Sequence, residues 1–247
     1  MAAQATEAED APKRVPVPRK RRQVVQEVSP APAYIADQVK RFILEGELRL
    51  GEQVTEKWLT DRFAASRTTV RDALSQLVAE RYLDQEPYRS AHVRSYSSRE
   101  MAEILESRRL IEGYAAEHCA SANEADRREL QRAFAEYGTI AATGDQAAAA
   151  MAHVELHIAL VGLTGNRSLQ RLERELMIGS LLFIELINWS LSDAEKMYTE
   201  HMRLVNALLA PDPVLARELT IGHLSMVQTA VDIRMSDEPS VEDACSI

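Results

Sequence analysis

Beyond residue 98 the chain is interrupted in few places: at Gly144, at Thr164-Gly165-Asn166 and at Pro211-Asp212-Pro213. Between these breaks apolar residues return every three or four positions, the period of a helix that buries one face. The expected helices are 99–119 behind a Ser98 cap, 123–144, Asp145 as cap of a third to Leu163, Ser168 to Trp189, Asp193 to Ala210, and Pro213 to Met235. Joined by short loops, such helices can cover their apolar faces only by packing side by side, as an antiparallel bundle of about six. A composition of 46% hydrophobic and 5% aromatic residues, rich in Ala, Leu, Glu and Arg, favours helix over sheet. Apolar stretches of about ten residues are too short to span a bilayer, so no membrane partner is expected.

The segment before the bundle is organised differently. Residues 1–30 mix prolines with the basic run "APKRVPVPRKRR" and are expected to form a disordered basic arm, available for non-specific phosphate contact. From residue 31 to 97 the pattern is helix, helix, short turn, helix, hairpin. Tyr34, Ile35, Val39, Phe42 and Ile43 make an apolar stripe that ends at Gly46, and "LRLGEQVT" is expected as a turn. Thr55 can cap the next helix, with Trp58, Leu59 and Phe63 inward. After a break at "AAS", Ser66 can cap a third, with Val70, Leu74, Leu77 and Val78 inward; "LDQEPYRSAHVRSY" then alternates around Pro87. That order is a winged helix-turn-helix. The fold expected is therefore mainly α: a winged helix-turn-helix over 31–97, a helical domain over 98–235, and a frayed tail over 236–247.

Charge alone would not suggest DNA. The net charge of −9 is uneven: residues 31–98 hold ten basic and ten acidic groups, residues 99–247 hold 13 and 24. A neutral segment can still meet DNA if its basic groups share a face. The third helix begins with Arg67, Thr68, Thr69 and Arg71, at the end that a recognition helix inserts into the major groove. Arginine can read guanine edges, and threonine with helix N-terminal amides can hold phosphate. Cys119 and Cys245 form no disulfide framework and the N-terminus has no secretory pattern, which points to the cytoplasm.

Four histidines raise a separate question. His153 and His157 lie one helical turn apart in the apolar run "MAHVELHIAL"; His201 and His223 sit in apolar surroundings on the fifth and sixth bundle helices. Imidazoles converging from three helices are how a bundle builds a metal site. The plainer alternative is that each is a hydrogen-bonded core histidine. Arg108 in "LESRRLIEGY" can pair with Glu112 on the helix surface, and Asn166 is a candidate helix cap.

The run from Tyr34 to Leu83, with "GEQVTE" and "SRTTVRDAL", resembles the DNA-binding domain of the GntR family of bacterial transcription regulators. The helices after it resemble the FCD ligand-binding domain of the FadR subfamily; together the resemblance covers residues 33–233. It implies a homodimeric regulator, more often a repressor, on a near-palindromic double-stranded operator, with DNA contacts from Lys57, Arg67, Thr68, Thr69, Arg71 and the wing residue Arg89. Two departures stand out. Ser90 occupies the place of the wing-tip glycine, which puts the contribution of Arg89 in doubt. Ala64 stands in the inter-helix turn where glycine is favoured, and predicts a turn of altered shape. In the second domain the resemblance implies a divalent metal, held by His157, His201 and His223 and an acidic residue, here replaced by His153. Either all four histidines bind, or His153 swings away and three remain. Nitrogen ligands suit Zn²⁺ first, or Ni²⁺, over Mg²⁺ and Ca²⁺. The resemblance places Arg108 at the effector cavity, where it could hold a carboxylate.

Three functions share these residues: a regulator answering a small organic acid bound at the metal, a regulator answering the metal itself, and, more remotely, a metalloenzyme. The last lacks a general base beside the ligands, because Glu155 falls on another helix face, and it leaves the first 98 residues unexplained. No enzymatic activity is therefore expected.

Overall fold

A computed structural model describes residues 30–185, 191–210 and 212–237. The expected arm (1–30, apart from Pro30), the end of the fourth bundle helix at Trp189 and the tail beyond Asp237 lie outside the described residues.

The winged segment is built from α1 (Pro32–Leu44), β1 (Gln53–Val54), α2 (Glu56–Phe63), α3 (Arg67–Ala79), β2 (Leu83–Asp84) and β3 (Ala91–Val93). Local chemistry sets the ends. Thr55 Oγ1 accepts the amide of Trp58 and Ser66 Oγ that of Thr69, so each short helix starts on a side-chain cap. The sheet has the order β1-β3-β2, antiparallel throughout, with Gln53 opposite His92 and Leu83 opposite Val93. The sequence suggested only a hairpin; β1 is a third strand, formed inside the stretch expected as a turn. Two residues carry too little periodicity to announce a strand, and pairing with β3 is what makes them one.

The second part comprises α4 (Ser98–Glu117), a single 3₁₀ turn at Cys119–Ser121, α5 (Glu124–Ala141), α6 (Gln146–Gly162), α7 (Arg167–Glu185), α8 (Leu191–Leu209) and α9 (Pro213–Asp237). The cap of α4 is Ser97, not Ser98, because the reciprocal partner Glu100 lies three residues after Ser97: its carboxylate accepts the Ser97 amide while Ser97 Oγ accepts that of Glu100. The second helix stops at Ala141 rather than at Gly144, which takes a left-handed φ of 78° in the turn beyond. Asp145 caps α6 through the amide of Ala148, and Asn166 accepts from Ser168 and Leu169 at the start of α7. The fifth bundle helix starts at Leu191, ahead of Asp193.

The two parts share a core. Ile178 and Leu182 of α7 are buried in the same cluster as Ile35, Val39, Leu59, Leu74 and Leu77 of the winged segment. Leu44 of α1 packs with Val154 and Ile158 of α6 and Met177 and Leu181 of α7. At the rim, Arg41 bridges both carboxylate oxygens of Asp145, at 2.9 and 3.2 Å. No helix among the described residues is long and apolar enough to cross a membrane.

Candidate metal centre and DNA-facing surface

The four histidines converge. α6 brings His153 and His157, α8 brings His201 and α9 brings His223; one ligating atom from each lies within 4.8 Å of all the others. Three of them form a near-equilateral triangle, with Nε2–Nε2 separations of 3.0 Å (153 to 201), 3.1 Å (153 to 157) and 3.0 Å (157 to 201). Nitrogens bonded at about 2.0–2.1 Å to one tetrahedral ion would stand about 3.3 Å apart, so the spacing is close to what a shared ion needs. The structure thus brings His153 into the cluster beside the other three.

Partners on the far side of two rings decide where the protons are. His157 Nδ1 lies 2.8 Å from Glu112 Oε2, and His201 Nδ1 lies 2.7 Å from the Met197 carbonyl. Both of these partners only accept, which makes each Nδ1 the donor and leaves each Nε2 with its lone pair. Arg108 Nη2, a donor, also lies 3.3 Å from His157 Nδ1, but it is spent on Glu112 Oε1 at 2.8 Å and is the more distant of the two neighbours of that nitrogen. Two bare lone pairs then point at one another across 3.0 Å, an arrangement that a cation between them resolves. His223 Nδ1 is buried without a hydrogen-bond partner among the described residues, a further donor atom in want of one. Burial pushes His201 down to about 4 and the other three well below the usual histidine range, so all are neutral and able to ligate at pH 7. Tyr137 of α5 packs against His153 and His201 and closes that side. The residues present fit a divalent cation. A groove of about 320 Å³ between α8 and α9, lined by Glu200, Arg203, Gly222 and Met226 among others, reaches His223.

Arg108 is buried at 1% exposure, so its partner Glu112, at 0%, is not the surface neighbour that helix spacing alone suggests. Arg108 Nε and Nη2 each lie 2.8 Å from Glu112 Oε1, Nη1 donates to Ser180 Oγ at 3.1 Å, and Glu173 Oε1 lies 3.4 Å from Nε. Burial and the neighbouring charge of Glu112 push the Glu173 carboxyl well up. Sequence reasoning missed Glu112 as a partner of His157, and it missed Glu173 and Ser180 altogether. The available signal was their spacing: Glu173, Met177 and Ser180 fall on one inward stripe of α7, where polar residues are out of place.

The sequence-predicted DNA residues are all in the winged segment. Lys57, Arg67, Thr68, Arg71 and Arg89 are exposed, and Thr69 is half-buried with its hydroxyl 2.8 Å from Ser66 Oγ. Lys57 pairs with Asp61, Arg71 with Glu56 and Arg89 with Glu86, whereas Arg67 makes no ion pair among the described residues. The inter-helix turn is left-handed at its alanine: Ala64 has φ 48° and ψ 35°. The residues flanking the turn, Leu59, Ala65 and Val70, are buried in one core cluster. In the wing the positive φ falls on the fully exposed Tyr88 (φ 65°) and not at Ser90.

Comparison with known proteins agrees with this architecture. Residues 33–93 match the family "Bacterial regulatory proteins, gntR family", and residues 103–226, half of the chain, match the FCD domain. A Paenarthrobacter nicotinovorans protein named "Probable D-xylose utilization operon transcriptional repressor" is 28% identical over 77% of this chain and 86% of its own length. The HTH-type transcriptional regulator LutR of Bacillus subtilis is 26% identical over 76% of this chain and 94% of its own. Among solved structures, a Rhodococcus sp. RHA1 protein superposes with a TM-score of 0.68 at 20% identity, over 84% of this chain and 99% of that one; at such identity the likeness speaks for the fold. The chain belongs to the GntR family of DNA-binding bacterial regulators and carries an FCD domain behind its winged helix-turn-helix.

Proposed function

We propose that this protein is a homodimeric repressor of the FadR subfamily, acting in the cytoplasm, whose hold on a near-palindromic operator answers to a small organic acid bound at a metal in the FCD domain. The observation that carries this reading is the triangle of Nε2 atoms, with the protons of His157 and His201 committed to the other side of each ring. Four neutral imidazoles, His153, His157, His201 and His223, suit Zn²⁺ or Ni²⁺ and add no negative charge. A cation held there supplies a positive centre for an anionic carboxylate.

The chain's own residues do the rest. Arg67 and Thr68 stand free at the tip of the recognition helix for base edges and phosphate, with Thr69, Arg71, Lys57 and Arg89 around them. α6 carries His153 and His157 on one face and Val154 and Ile158, which pack on Leu44 of α1, about 100° round the helix. A ligand that favours one placement of α6 therefore favours one pose of the winged segment, and its effect on DNA equals its differential affinity for the two poses.

The test is metal per chain in tag-free protein, wild type against His201→Ala, followed by operator binding across a panel of small carboxylates. About one ion per chain in wild type, little in the variant and an operator affinity that one carboxylate changes are expected. Protein that takes up neither Zn²⁺ nor Ni²⁺ would overturn the metal reading.

A further inference from the structure

Behind His157 stands a buried polar cluster that neither ligation nor DNA binding explains. Glu112 divides its two oxygens: Oε1 takes Arg108 Nε and Nη2, both at 2.8 Å, and Oε2 takes His157 Nδ1 at 2.8 Å. The third nitrogen of Arg108, Nη1, is spent on Ser180, so all three are engaged inside the protein. We propose that Glu112 is a positioning residue that fixes the tautomer of His157, and that Arg108 works through Glu112 and not on the effector. The proposal rests on the metal reading above for its consequence, but not for its geometry.

The physical argument is one of donors and acceptors. His157 Nδ1 has two neighbours, the acceptor Glu112 Oε2 at 2.8 Å and the donor Arg108 Nη2 at 3.3 Å. The nearer carboxylate can only accept and Nη2 already serves Glu112 Oε1, so the single N–H of the neutral ring stays on Nδ1 and the Nε2 lone pair faces the cluster. Arg108 can only donate, so it holds Oε1 and keeps Oε2 aimed at the ring. Hydrogen-bonded carboxylates behind ligating histidines orient the ring and raise its basicity. In Glu112→Gln the guanidinium still demands an acceptor, so the amide oxygen turns to Arg108 and the NH₂ turns to His157. That NH₂ donates to Nδ1, the stable tautomer becomes Nε2–H, and the ligating lone pair is blocked. Glu173→Gln is the control: it changes a carboxyl of the same cluster that neighbours Arg108 and Glu112 but does not touch His157.

The experiment uses full-length protein labelled with ¹⁵N-histidine. Ring tautomers are read by long-range ¹H–¹⁵N correlation in metal-free protein, and Zn²⁺ affinity by competition with a chelator. The expected result is an Nδ1–H His157 in wild type and in Glu173→Gln, and an Nε2–H ring in Glu112→Gln with Zn²⁺ affinity lower by about 10–100-fold. An Nε2–H His157 in wild type overturns the proposal without needing any variant. So does a Glu112→Gln protein with wild-type tautomer and Zn²⁺ affinity. If wild type binds no Zn²⁺ yet the tautomer inverts in Glu112→Gln, the metal reading fails and the positioning role of Glu112 stands.

Discussion

The polar groups on the exposed face of the winged segment and those around the histidines are built on opposite terms. Lys57, Arg71 and Arg89 each lean on one acidic neighbour in water, where an exchange of partner costs little. Arg108, Glu112, Glu173 and Ser180 are buried, and there an unmatched charge is expensive. The first arrangement suits a surface that must give up its internal ion pairs for phosphate. The second suits a scaffold that must hold ring nitrogens in place. A charged residue is read by its surroundings: Arg67 and Arg108 are the same side chain, one exposed without an ion pair among the described residues and one buried among Glu112, Glu173 and Ser180.

Removing Arg108 and Arg67 in turn should have opposite consequences for stability and for DNA binding. Arg108→Ala leaves Glu112 buried without its countercharge and should destabilise the protein by about 3–5 kcal/mol, measured by urea unfolding; a loss below about 1 kcal/mol would mean that the cluster is open to water. Arg67→Ala should leave unfolding within about 0.5 kcal/mol of wild type, yet cost about 1–3 kcal/mol of operator affinity and relax specificity at one base pair. A uniform loss over all sequences would instead make Arg67 a phosphate contact. The smallest effect concerns the turn that presents the recognition helix. Ala64→Gly relieves a left-handed alanine and should raise stability by at most about 1 kcal/mol, visible as a higher midpoint at constant slope.

Much of this was legible because it is local. Thr55, Ser66, Asp145 and Asn166 each bond an amide three residues on, within the reach of sequence patterns. The one-residue error at Ser97 came from overlooking Glu100, which was also local. His153 and His157 share a face by helix geometry, and the apolar flanks of His201 and His223 point them inward.

What remained hidden depends on distant partners. β1 exists only against β3, Ile178 and Leu182 complete a core that the sequence assigned wholly to the winged segment, and Glu112 meets His157 across two helices. Spacing and near-neighbour hydrogen bonds were enough to read the helices, most of their caps and the order of the winged segment and the bundle from the sequence, because these features are local. Packing across the helices is what brings His153 into the cluster and sets Arg108 and Glu112 behind His157, because each contact depends on which donors and acceptors distant segments bring within about 3 Å.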